Sequence, residues 1–120
     1  MKILIVDDEV RVAELLAESV RMQGHEPIVA GSGTEGLALL EQRHPDAVFL
    51  DIVMPEINGI EVLRRIRETN RNLPVVVITG RASPEQIDEA RRLGITECIE
   101  KPFILKQINH ALISLEAGKP

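Results

Sequence analysis

Residues 46–59, DAVFLDIVMPEING, decide the fold. Ala47 to Leu50 is wholly apolar and runs straight into an acid, Asp51. A short apolar run without polar alternation is the pattern of a strand buried on both faces, as in parallel sheets. An acid at its C-terminal end then lies on the edge where α/β sheets bind their ligands. Pro55 lacks an N–H for a ladder, and Gly59 tolerates backbone shapes that other residues avoid. The chain therefore leaves the strand for an irregular loop after Asp51. An acid that simply ends a strand at solvent has the same local pattern, so its meaning depends on the rest of the chain.

Working outward, the N-terminal side holds a strand at residues 2–6 (KILIV), followed at once by Asp7-Asp8-Glu9. Residues 10–23 have helical spacing, with Ala13, Leu16, Ala17 and Val20 on one face and Gly24 as a stop. A second strand spans residues 27–30, and Ser32-Gly33-Thr34-Glu35 has the capping-box form that opens a helix to about Arg43. His44-Pro45 ends it. On the other side of the central stretch, Asn58 caps a helix that turns Ile60, Leu63 and Ile66 inward. Residues 75–79, VVVIT, are a β-branched strand. Ser83-Pro84-Glu85-Gln86 is a second capping box, with Pro at the first helical position, and that helix runs to Leu93 before Gly94. Residues 95–99 read as a weaker fifth strand. Residues 104–115 read as a last helix, with Leu105, Ile108, Leu112 and Leu115 on its inner stripe. The end, residues 116–120, reads as loose. Five strands alternating with five helices call for an α/β, doubly wound parallel sheet, and 2-1-3-4-5 is the order for five strands.

With 120 residues the chain suffices for one domain and one core. Aromatics are 2% of it, too few for base-stacking nucleic-acid platforms, and a net charge of −5 argues against a phosphate-backbone binder. One cysteine excludes an intrachain disulfide and suits a reducing compartment. The apolar start meets acids too early for a signal-peptide core, and no run reaches the ~20 residues of a membrane span. The expected location is cytoplasmic, with no membrane or direct nucleic-acid partner.

The strand ends form a constellation. Strand one ends in Asp7-Asp8, strand three in Asp51 and strand four in Thr79; strand five runs into Lys101. In the 2-1-3-4-5 order all lie on one edge, with strands one and three adjacent. At ~4 Å and an effective dielectric near 20, each like-charge carboxylate pair costs about 4 kcal/mol. Such a cluster calls for a cation, and a few hard oxygen ligands with room for water suit Mg2+. A metal, an ammonium and a hydroxyl around one carboxylate describe phosphoryl transfer onto that carboxylate. Each residue also has an ordinary explanation: acids cap helices, Thr suits strands, and lysines cover surfaces. Their concurrence at the right strand ends is what distinguishes the site.

These residues carry a resemblance that covers essentially the whole chain. VDDE after strand one, LDIVMPEINGIEVL around Asp51, VVVITG at strand four and EKPF after strand five resemble the receiver domain of two-component response regulators, of the chemotaxis-regulator type. The resemblance implies a flavodoxin-like fold, with the receiver at residues 1–116 and a tail at 117–120. It implies that Asp51 accepts a phosphoryl group from a sensor histidine kinase or a histidine phosphotransfer protein. Asp8, Asp51 and the main-chain carbonyl of Val53 would bind Mg2+ directly, and Asp7 mainly through water. Thr79 and Lys101 would hold the phosphoryl oxygens. The Lys101–Pro102 bond is expected to be cis. The change would be read at the face of strand four, helix four, strand five and helix five by a target protein or output domain, the chain being expected as either a stand-alone receiver or the N-terminal part of a longer protein. The domain would be no enzyme beyond its own phosphorylation and autodephosphorylation.

One departure stands out. Receivers commonly carry an aromatic switch three residues before the lysine, where this chain has Cys98, read here as a small buried hydrophobe rather than a redox group. Val53 and Arg81 occupy positions at which the family tunes phosphoryl lifetime. An FMN carrier would need a phosphate-cradling loop where this chain has DDEVR, and aromatics it lacks. A haloacid-dehalogenase-type phosphatase would carry its nucleophile in a D-x-D pattern on strand one. A degenerate docking module would not need the intact acids, Thr79 and Lys101. On the first helix, Val12, Leu15 and Met22, with Ser19 among them, lie off the core face and form an expected docking surface for the phosphodonor.

Overall fold

The computed structural model describes residues 1–103 and 105–118. Among them, β1 (Lys2–Val6), α1 (Val10–Met22), β2 (Glu26–Ala30), α2 (Gly33–Arg43), β3 (Ala47–Leu50), α3 (Gly59–Thr69), β4 (Val75–Thr79), α4 (Pro84–Leu93), β5 (Glu97–Glu100) and α5 (Leu105–Ala117) follow in order. All the strand pairings are parallel, and the sheet order is β2-β1-β3-β4-β5. The three central strands are the most apolar runs in the sequence, because both of their faces are covered. Side chains alternate across them. Ile3, Ile5, Phe49, Val76 and Ile78 meet α1 and α5 on one face, while Leu4, Val6, Val48, Leu50, Val75 and Val77 form the core beneath α3 and α4 on the other.

Helix starts follow the capping chemistry. The Ser32, Asn58 and Ser83 side chains accept from the amides of Glu35, Glu61 and Gln86. The box at Ser83 is reciprocal. At α2 the Glu35 carboxylate instead accepts from the Gly31 amide, at 2.6 Å. Gly59 opens α3 in contact with the end of β3: a Cβ there would sit 2.2 Å from the Asp51 carbonyl oxygen. This position tolerates only glycine, and it ties α3 to the loop after Asp51.

Four expectations change. The fifth strand is residues 97–100, not 95–99; its ladder with β4 runs from Glu97 opposite Val76 to Glu100 opposite Thr79. Ile95 instead packs into the α4-side core. Leu105 does not join the inner stripe of α5; it is 45% exposed, in the first turn of the helix, and Ala111 completes the buried face with Ile108, Leu112 and Leu115. Ser19 is buried rather than part of an outer surface. Glu116 and Ala117 are helical rather than loose, since the Glu116 carboxylate lies 2.5 Å from His25 Nε2. The expected start of this helix at Ile104, and the end of the tail at residues 119–120, lie outside the described residues.

Candidate functional site

The site is built where β1, β3, β4 and β5 end. Val6 pairs with Leu50, so the residues that follow, Asp7 and Asp51, emerge side by side. The Asp51 amide donates to the Val6 carbonyl at 3.0 Å and the Asp7 amide to the Ala30 carbonyl at 3.1 Å, which fixes both main chains. The Lys101 amide donates to the Thr79 carbonyl at 2.8 Å, joining β4 to the segment after β5. The Lys101–Pro102 peptide is cis, as the resemblance implied.

Asp7, Asp51 and Thr79 are buried, and Asp8 is half-buried. One carboxylate oxygen from each of Asp7, Asp8 and Asp51 lies within 4.8 Å of the others. Lys101 Nζ lies 3.2 Å from Asp51 Oδ2 and 3.1 Å from Asp7 Oδ2, and donates to Glu9 Oε1 at 2.8 Å. Burial raises the Asp7 pKa, against the Glu9 amide and the Lys101 ammonium that favour its charge. Burial would push Lys101 down, but the neighbouring carboxylates of Glu9, Asp7 and Asp51 outweigh this. Its pKa is raised, so it stays cationic.

Among the described residues, the buried side-chain oxygens with no hydrogen bond are Asp7 Oδ2, Asp8 Oδ1 and Thr79 Oγ1. Asp7 Oδ2 is met only by the Lys101 ammonium at 3.1 Å, and the other two by nothing; buried polar atoms are normally paired, so these oxygens around one carboxylate mark a site shaped for something else. Two of them are hard carboxylate oxygens, and the donor set fits a small divalent cation that keeps part of its water. Beside Thr79 opens a small cleft of about 130 Å³, lined also by Gly80, Ala82, Ile87, Glu100 and Lys101.

Residues 3–113 match the family model of the response regulator receiver domain. The chain belongs to this family. It is 37% identical over 108 residues to the response regulator MprA of Mycobacterium sp. strain KMS, covering 90% of this chain and 47% of MprA. It is 40% identical over 108 residues to the regulatory protein AtoC of Escherichia coli K12, covering 90% of this chain and 23% of AtoC. The receiver thus spans about half the length of the one and a quarter of the other. Its fold matches the crystal structure of the NtrX receiver domain from Brucella abortus, at a TM-score of 0.89 and 34% identity, over 98% of this chain and 99% of that one. A receiver domain has a phosphoacceptor signalling role and is not an enzyme in the usual sense. No helix among the described residues is long and apolar enough to cross a membrane.

The fold brings Asp7, Asp8, Asp51, Thr79 and Lys101 to one edge, with Val53 two residues beyond Asp51 and its amide donating to Asp51 Oδ1 at 3.2 Å. The residue that sequence reasoning missed is Glu9. Its signal was the third acid of the DDE run, which reads locally as a helix start. Cys98 is half-buried opposite Val77, and burial pushes its thiol up, away from the thiolate that redox chemistry needs.

Proposed function

We propose that Asp51 is the phosphoacceptor of this receiver and that the surrounding side chains serve its phosphoryl group. The observation that carries this is the pairing of buried Asp51 with Lys101 at 3.2 Å, amid orphaned oxygens of Asp7, Asp8 and Thr79. A carboxylate oxygen of Asp51 attacks the phosphorus of a phosphohistidine. The P–N bond breaks, the imidazole leaves with the bonding electrons, and an acyl phosphate remains. Lys101 and the Thr79 hydroxyl donate to the phosphoryl oxygens, for which Thr79 Oγ1 is uncommitted. Asp8, Asp51 and the Val53 carbonyl would hold Mg2+, with Asp7 acting through water; the ion supplies positive charge against the acids and the incoming phosphoryl group. In autodephosphorylation water attacks the phosphorus, the P–O bond to Asp51 breaks, and inorganic phosphate leaves the Asp51 carboxylate behind. Incubation with acetyl phosphate and Mg2+ is expected to add one phosphoryl mass to the intact chain, and Asp51→Asn to abolish it. A phosphoryl adduct on Asp51→Asn would overturn the assignment.

The donor in the cell is a sensor histidine kinase or histidine phosphotransfer protein, and the reader is a target or output domain at the α4–β5–α5 face, in the cytoplasm. Leu15, 44% exposed, and Met22, 77% exposed, are apolar residues on the surface of α1, the helix that follows Asp7-Asp8-Glu9. Leu15→Asp is expected to leave loading by acetyl phosphate unchanged and to slow transfer from a kinase. Equal losses with both donors would remove α1 as the docking surface.

A further inference from the structure

Glu9 occupies the N-cap position of α1, yet its side chain makes no capping bond. Its carboxylate is committed to Lys101, at 2.8 Å, closer than Asp7 at 3.1 Å or Asp51 at 3.2 Å. Its amide donates to Asp7 Oδ1 at 2.9 Å, so the residue hangs from the wall of the site. An ammonium has three N–H groups, and here three carboxylates surround it. A phosphoryl oxygen arriving at Asp51 must compete with them for Lys101, which donates hydrogen bonds to Glu9 and Asp51 and is ion-paired with Asp7. Asp7 is buried, and Asp51 becomes the acyl phosphate itself. Glu9, with its side chain 50% exposed, is the carboxylate that returns to water most cheaply. The charge of Arg81 also reaches Glu9, so the freed carboxylate has a second cation nearby.

We propose that Glu9 is a positioning residue that occupies Lys101 until a phosphoryl group displaces it, and so sets how readily Asp51 is loaded. This rests on the reading of Asp51 as the phosphoacceptor. Removing the Glu9 charge should leave Lys101 free for the phosphoryl group. The proposal differs from simple repulsion of anions at the entrance. Repulsion between exposed charges fades in salt, whereas competition for Lys101, whose side chain is 13% exposed, persists.

The test uses the full chain with Mg2+, beryllium fluoride as a stable phosphoryl mimic, and acetyl phosphate as donor. Glu9→Gln is expected to bind the mimic about fivefold more tightly and to load about fivefold faster, a factor equivalent to about 1 kcal/mol. Both gains should survive high salt. Unchanged or weaker binding, or a gain that vanishes in salt, would overturn the proposal. Should Glu9→Gln melt well below the wild type, Glu9→Asp decides by the same readouts, since it keeps the charge and shortens the reach. Carbamylation of Lys101 by cyanate, read by peptide mass, needs neither metal nor phosphoryl group and should be faster in Glu9→Gln. If the wild type fails to take the mimic, the reading of Asp51 falls. Carbamylation then decides alone, and equal rates in wild type and variant would overturn the role of Glu9.

Discussion

The two ends of the same sheet treat their charges in opposite ways. At the N-terminal edge, charged groups are paired off. The Met1 ammonium meets His25 Nδ1 at 2.9 Å, His25 Nε2 meets Glu116 at 2.5 Å, and Arg43 meets Glu26 at 2.5 Å. Lys2 donates from Nζ to the Arg43 carbonyl at 2.6 Å and from its amide to Asp46 Oδ2 at 2.7 Å. At the C-terminal edge three acids crowd one lysine, and oxygens of Asp7, Asp8 and Thr79 are left without hydrogen bonds. Folding alone favours the first arrangement, because buried polar groups cost stability unless satisfied. The second is maintained against that cost, and its acidic cluster could hold a cation. The lesson is that a functional edge can be recognised by the polar groups it leaves unpaired rather than by how many it has.

The comparison breaks first on metal. Mg2+ a hundredfold above its Kd is expected to stabilise the chain by about 2.7 kcal/mol, a rise of about 10 °C in Tm for a domain of this size. Asp8→Ala should lose that rise in thermal melts at matched ionic strength, and His25→Ala, at the other edge, should keep it. A rise retained by Asp8→Ala would place the ion elsewhere. A sharper test is one of sign. Without metal, Asp8→Asn is expected to stabilise by about 1 kcal/mol, because it removes one charge from a repelling cluster. Glu116→Gln should instead destabilise by about 1 kcal/mol, because it breaks the link from His25 to α5. Urea unfolding with a common m-value reads both, and equal signs would erase the difference between the edges. The smallest effect is expected at Glu26. Its pair with Arg43 joins side chains that are 56% and 44% exposed. Glu26→Gln should therefore change stability by less than about 0.5 kcal/mol, and a larger loss would mean that this edge depends on its exposed pairs.

Much of this was legible in the chain itself. The apolar runs ending in Asp7-Asp8, Asp51 and Thr79 state both the strands and their polar ends, because a strand buried on both faces must be apolar until it leaves the sheet. Ser32, Asn58 and Ser83 announced their helices through side chains that reach only three residues along. Alternating strands and helices then left few topologies, and in the 2-1-3-4-5 order the acids, Thr79 and Lys101 fall together without any side-chain geometry being known.

Other features took shape only in three dimensions. Glu9 and Lys101 are 92 residues apart, His25 and Glu116 are 91 apart, and no local period carries such contacts. Ser19 is buried in the fold, β5 pairs with β4 only from Glu97 onward, and Leu105 stays exposed in the first turn of α5. Sequence by itself determined the elements, their order and the identity of the acids, because those follow from hydrophobic period and near-neighbour capping. Which carboxylate grips Lys101, and which oxygens are left without partners, was decided by tertiary structure, because hydrogen bonding depends on tenths of an ångström between residues that only the folded sheet brings together.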